Sequence, residues 1–206
     1  MKLMVRALAL AVALWLAVAS DARAQRAESE GVDLWQKPFA VAFNMGLGTP
    51  TGFFGVEAQY NPWRYLGFVA GTGASSAGLQ LMAALRPRLP ISRHVALTLS
   101  AGWSMGPHKQ VEDAFFYIDG PTPPIFDRRW ALAQWVNFDA GVEVRAPGGF
   151  AIRTYIGAAR LLNVDDFTCT GPDAAVCEGR KPASDGGTYD TTVWYPFVGL
   201  TLGYAF

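Results

Sequence analysis

The sequence predicts an all-β chain: an eight-stranded antiparallel up-and-down transmembrane β-barrel, preceded by a cleaved signal peptide. Three observations lead there. The hydrophobic period of most of the chain is two rather than 3.6, as in strands whose two faces meet different surroundings. Every charge inside the alternating segments falls on the same face. The N-terminus carries the three-part pattern of an export signal.

That signal comes first in the chain. Lys2 and Arg6 make a basic start, Ala7 to Ala19 is uninterrupted and apolar, and Ala22-Arg23-Ala24 places small residues where a signal peptidase reads. Cleavage is expected between Ala24 and Gln25. The apolar run is shorter than the ~20 residues a membrane-crossing helix needs, which disfavours a permanent anchor. The expected organisation is therefore a signal peptide over 1–24, a flexible N-terminal segment over 25–37 and a barrel over 38–206.

Composition narrows the function classes. Cleavage removes three of the 17 basic residues and one of the 17 acidic ones, leaving a slight acidic excess with no concentrated basic patch. Nucleic acid is excluded as a partner on that ground. Charged residues make up 17% of the chain, below the ~25% usual for soluble domains. The two cysteines, Cys169 and Cys177, belong to an exported chain, so a disulfide between them is expected.

The strands follow in order. Phe39, Val41, Phe43, Met45 and Leu47 alternate with Ala40, Ala42, Asn44 and Gly46. Next, Phe54, Val56, Ala58 and Tyr60 face away from Gly55, Glu57 and Gln59, and Leu66, Phe68 and Ala70 away from Gly67, Val69 and Gly71. Leu79, Leu81, Ala83 and Leu85 then oppose Gln80, Met82, Ala84 and Arg86. The fifth segment sets Val95, Leu97, Leu99, Ala101 and Trp103 against Ala96, Thr98, Ser100, Gly102 and Ser104. The sixth sets Val136, Phe138, Ala140, Val142 and Val144 against Asn137, Asp139, Gly141, Glu143 and Arg145. The seventh opposes Phe150, Ile152, Thr154, Ile156 and Ala158 to Ala151, Arg153, Tyr155, Gly157 and Ala159. The last opposes Pro196, Val198, Leu200, Leu202, Tyr204 and Phe206 to Tyr195, Phe197, Gly199, Thr201, Gly203 and Ala205. Eight segments of about the ~9–11 residues of a tilted membrane strand result.

Charge decides which face meets which surroundings. Glu57, Arg86, Asp139, Glu143, Arg145 and Arg153 all lie on the second face, and otherwise that face is mostly Gly, Ala, Ser and Thr. Such a face is too small and too uncharged for a water-exposed surface. It suits the narrow interior of eight strands, where those six charges are expected to pair and plug the lumen. The apolar face then meets lipid, where a charge near the midplane costs ~2–4 kcal/mol.

The connections fit an up-and-down order. Asn61-Pro62-Trp63-Arg64, Pro87 to His94 and Ala146-Pro147-Gly148-Gly149 read as periplasmic turns. Gly48 to Gly52 and Thr72 to Ala77 read as short extracellular loops, and 107–130 and 162–191 as long ones. Aromatics near the strand ends (Phe39, Tyr60, Trp63, Phe150, Tyr204 and Phe206 at one, Phe54, Trp103, Trp130 and Trp194 at the other) form the expected girdles. Tyr65 to Leu85 has no charge and the length of a membrane helix, but its glycines and serines make it a hairpin.

The terminal Tyr204-Ala205-Phe206, with Val198, Leu200 and Leu202 alternating before it, resembles the C-terminal signal of outer-membrane barrels. The mature chain resembles the small eight-stranded OmpA/OmpX-like barrels. That resemblance implies an outer-membrane location, contact with outer-membrane lipid, and recognition by the barrel-assembly machinery through Leu202, Tyr204 and Phe206.

Catalytic and binding motifs are weak. Gly102-Trp103-Ser104-Met105-Gly106 fits G-x-S-x-G, yet only His108 follows and the required later acid and His are missing in order. Ser92 and His94 are two apart but fall in an expected turn. Asp165, Asp166, Asp185 and Asp190, and Glu112, Asp113 and Asp119, are acidic loop residues without EF-hand spacing. No catalytic, cofactor or metal residue is assigned. The function expected is therefore a non-enzymatic structural or surface-interaction role, with a surface ligand meeting loops 107–130 and 162–191. The alternatives are a lipid-modifying hydrolase, a narrow solute channel and a soluble periplasmic ligand-binding barrel.

Overall fold

Alternating side chains give each strand two unlike faces, and a sheet that buries only one of them closes on itself to lose its edges. The computed structural model, which describes residues 34–112, 126–178 and 194–206, shows that closure. The strands are β1 (Phe39–Thr49), β2 (Gly52–Trp63), β3 (Leu66–Ser75), β4 (Gly78–Pro90), β5 (Val95–Glu112), β6 (Phe126–Arg145), β7 (Phe150–Leu161), β8 (Thr168–Thr170) and β9 (Trp194–Ala205). Sequential strands pair antiparallel from β1 to β7, β7 pairs with β9, and β9 returns to β1. Eight strands close the barrel, and the three-residue β8 adds to the far end of β6. A 3-10 turn η1 (Leu34–Gln36) precedes β1, and a short helix α1 (Ala174–Glu178) follows β8.

One end of the barrel carries the β2–β3, β4–β5 and β6–β7 turns together with the C-terminus; it is the turn end here. The other carries the β1–β2, β3–β4, β5–β6 and β7–β9 connections and is the loop end. The β1–β2 turn is tight because Gly48 and Gly52 adopt φ of 69° and 86°, values that L side chains avoid.

The register puts the expected face inward on each strand. Asn44, Glu57, Arg86, Thr98, Asn137, Arg153 and Thr201 are buried, while Leu99 and Ile156 are 60% and 66% exposed on the outer wall. Aromatics Phe39, Tyr60 and Phe206 cluster at the turn end, with ring centroids 5.2 and 6.1 Å from Phe39.

Several expectations change. The 107–130 loop is shorter than expected, since β5 runs to Glu112 and β6 starts at Phe126; residues 113–125 lie outside the described part. The 162–191 loop contains β8 and α1, and its remainder from 179 is likewise outside. β4 continues through Pro90, so the first half of the expected 87–94 turn is strand. Trp130 does not join an exposed girdle. It is 4% exposed, packed with Phe126, Ala133, Leu161, Phe167 and Cys177 in a small core under the β5–β6 hairpin. Lys109, Asp127, Arg128 and Arg129 break the alternation there, which is why the sequence reads as loop. Of the segment 25–37 expected to be flexible, 25–33 lie outside the described residues, and Leu34 and Trp35 are buried.

Candidate functional site

The interior is built in layers. At the turn end, Trp35 is 1% exposed and donates its indole N–H to the Ser92 carbonyl at 3.1 Å. The guanidiniums of Arg145 and Arg88 lie over its ring at 4.9 and 5.4 Å, a favourable placement for cations on an indole. Arg145 Nη1 donates to the Leu34 carbonyl at 2.9 Å and Nε to Glu143 Oε1 at 2.7 Å. Glu143 Oε2 lies 3.3 Å from Arg88 Nε. Arg88 also donates to Asn61 Oδ1 at 3.1 Å, and Asn61 donates to the Lys37 carbonyl at 3.0 Å. The 3-10 turn thus sits in the barrel end as a plug held by β2, β4 and β6.

Halfway along, Arg86 makes a two-pronged pair with Glu57, Nη1 to Oε1 at 2.8 Å and Nη2 to Oε2 at 3.2 Å. Two parallel bonds fix the geometry as one does not. Arg86 adds bonds to Gln59 Oε1 at 3.0 Å and Ser100 Oγ at 3.3 Å. Arg153 pairs with Asp139 and donates to Thr98 Oγ1 at 2.9 Å and Ser100 Oγ at 3.2 Å. All six residues of the expected lumen network, Glu57, Arg86, Asp139, Glu143, Arg145 and Arg153, therefore lie in the interior and form ion pairs. Arg88 is a seventh member that the sequence reading placed in a turn. Its signal was the period itself, two residues after Arg86, masked by Pro87 and Pro90.

Above this layer Tyr155 donates to Asn44 Oδ1 at 2.9 Å, and its ring meets Phe197 edge-on at 6.1 Å. The small residues of the inward face find their reason here. A side-chain carbon at Gly199 would collide with the Tyr155 ring, and one at Gly157 with Phe197. Large and small residues on neighbouring strands fill the narrow interior together. Two of the voids among these described side chains are each about 20 Å³, room for about one water.

At the loop end the interior widens into a cavity of about 230 Å³. Ser104, Asn137 and Gln80 form its polar floor, and His108, Trp135 and Tyr195 stand along its side. Trp135 meets His108 and Tyr195 edge-on, at 5.0 and 5.3 Å. Lys109 lines it too, with its ammonium 2.8 Å from Asp127. This cavity has no sequence signature, because its lining comes from turns and strands far apart in the chain.

The other singled-out residues lie apart from it or serve local structure. Ser104 sits within strand β5, not on a strand-to-helix turn, and accepts a hydrogen bond from Asn137 Nδ2 at 2.9 Å. Ser92 Oγ accepts from the backbone N–H groups of His94 and Val95 at 3.2 and 3.1 Å, closing the β4–β5 turn. His94 Nδ1 lies 3.0 Å from the Arg145 carbonyl. Cys169 and Cys177 form a disulfide, with Cys177 in the small core of the hairpin. Asp166 accepts from Asn163, and Asp113, Asp119, Asp185 and Asp190 lie outside the described residues. Among the described residues no His, Cys, Asp or Glu cluster has the grouping of a metal site. Leu202, Tyr204 and Phe206 all lie on the outer wall at the turn end, where Phe206 exchanges backbone hydrogen bonds with Phe39.

Comparison with known proteins adds no relative: no family model matches the chain, and no curated protein matches it.

Proposed function

We propose that this chain is exported by its signal peptide and resides in the outer membrane as a small OmpA/OmpX-like barrel. Its role there is structural and surface-interacting rather than enzymatic or conducting. The observation that carries the reading is the outer wall. Large apolar side chains on all eight barrel strands are exposed, Leu47, Phe54, Leu79, Leu99, Phe138, Ile156, Val198 and Phe68 among them. A soluble monomer rarely exposes a contiguous apolar patch beyond about 300–600 Å², and a lipid-facing barrel needs such a belt. Seven charges, Glu57, Arg86, Arg88, Asp139, Glu143, Arg145 and Arg153, are meanwhile turned inward and paired, the reverse of a soluble barrel, whereas Arg160 is exposed at the loop end of β7.

The same inward pairing supports a closed lumen. A plug at one end, four guanidiniums paired with three carboxylates, and voids of about one water each among the described residues support a middle layer closed to solutes. The turn end then faces the periplasm and the loop end faces outward, so the β5–β6 hairpin and the disulfide-bonded loop form the presented surface.

Gel mobility of membrane-extracted protein, with and without boiling in detergent, tests the reading. Two mobilities, and resistance to release by mild washing, are the expected result. A single mobility with release into the wash would make the apolar wall something other than a lipid contact.

A further inference from the structure

We propose that the loop-end cavity is a binding site for one neutral sugar unit, held between the aromatic wall and the amide–hydroxyl floor. The cavity belongs to the closed barrel itself; only its outward orientation rests on the outer-membrane reading.

The floor supplies the first argument. Asn137 is 5% exposed, and its amide donates to Ser104 Oγ at 2.9 Å. Its Oδ1 has no partner among the described residues. Turning the amide over would only transfer the deficit to its nitrogen. A buried amide atom left unpaired costs about 1–3 kcal/mol, so a guest that can hydrogen-bond to this floor is favoured over an apolar one. Ser104 beside it can donate as well as accept.

The wall supplies the second. Trp135, flanked edge-on by His108 and Tyr195, is locked in place, and aromatic rings pack against the C–H bonds of a sugar ring while its hydroxyls reach the floor. The His108 ring contacts Trp130 and Trp135 beside the cavity.

Charge and size remove the competitors. Among the described residues no carboxylate lines the cavity, which gives a cation no partner there. Among the described lining residues the one ammonium, on Lys109, is paired with Asp127, which disfavours phosphates and sugar acids. A purely apolar guest would leave Asn137 unpaired. At about 230 Å³ the cavity is below the ~300–1,000 Å³ of drug-sized sites, which suits a single ring rather than an oligomer.

The test is saturation-transfer NMR on the full mature chain folded in detergent micelles. The probes are glucose, galactose, mannose, N-acetylglucosamine, fucose and rhamnose, with glucuronic acid as charged control. Neutral dextran, galactan and mannan follow as polysaccharides. Saturable transfer from at least one neutral sugar is expected, weakened tenfold or more by Asn137→Ala and severalfold by Trp135→Phe. Gly148→Ala, at the far end of the barrel in open space, should leave it unchanged. Binding of a free monosaccharide identifies a solute as the source; binding only of a polysaccharide identifies a surface glycan. No saturable transfer from any neutral probe, preference for glucuronic acid, or signals untouched by both variants in folded protein would overturn the proposal. Boiled and unboiled gel lanes report separately on the barrel, so the site and the membrane reading can fail independently.

Discussion

Glu57 and Arg86 face each other across β3 inside the barrel, and their two-pronged contact is the best defined ion pair of the interior. Removing one partner leaves a buried charge alone, which costs about 3–5 kcal/mol, whereas replacing both by apolar residues of similar size is close to neutral. Arg86→Ala should therefore lower the unfolding free energy of lipid-folded protein, read from urea titration, by that order, while Glu57→Leu with Arg86→Met restores most of it. A double variant as unstable as the single would place the stabilisation elsewhere. The six-charge network was legible because alternation by two fixes which side chains point inward. Arg88 was not, since the flanking prolines imitate a turn although Pro87 is outward-facing and exposed. Trp35 was not legible either: one aromatic in a polar segment has no period, and its place follows from Arg88 and Arg145, 53 and 110 positions away in the sequence.

The β5–β6 hairpin shows where element boundaries escape pattern reading. Pairing continues past the register shift between Gly106 and His108, but the side chains there answer to a local core of Phe126, Trp130 and Phe167 instead of to an inside and an outside. Period two therefore fades before the strand does. β8, α1 and the Cys169–Cys177 disulfide complete that core. Closing so short a loop contributes ~2–3 kcal/mol in the chain-entropy model, and we assign it to the hairpin because β8 pairs with the end of β6 beyond the barrel wall. Cys169→Ser with Cys177→Ser should leave the barrel's unfolding midpoint unchanged while limited proteolysis within 163–178 accelerates severalfold. A matching fall in the barrel midpoint would show that hairpin and barrel unfold as one unit.

At the scale of the whole molecule the fold was legible almost entirely, because a closed up-and-down barrel is the repetition of one rule along eight strands. What the chain does was far less legible: the wall and the paired interior are generic, and the loop-end cavity is assembled from residues with no shared spacing. The packed interior predicts that the protein reconstituted in a planar bilayer passes no single-channel current; regular steps would mean that the lumen charges rearrange into a pore. The central claim is that the apolar wall faces lipid, and Leu99→Arg tests it most directly. Leu99 is the outward neighbour of Ser100, which bonds Arg86 and Arg153 halfway along the barrel; it is 60% exposed and opposite Ala140. A charge at the lipid midplane should destabilise the folded protein in vesicles by ~2–4 kcal/mol, read from its urea unfolding. A variant as stable as the parent and soluble without detergent would contradict the account, since arginine at that position would then be meeting water.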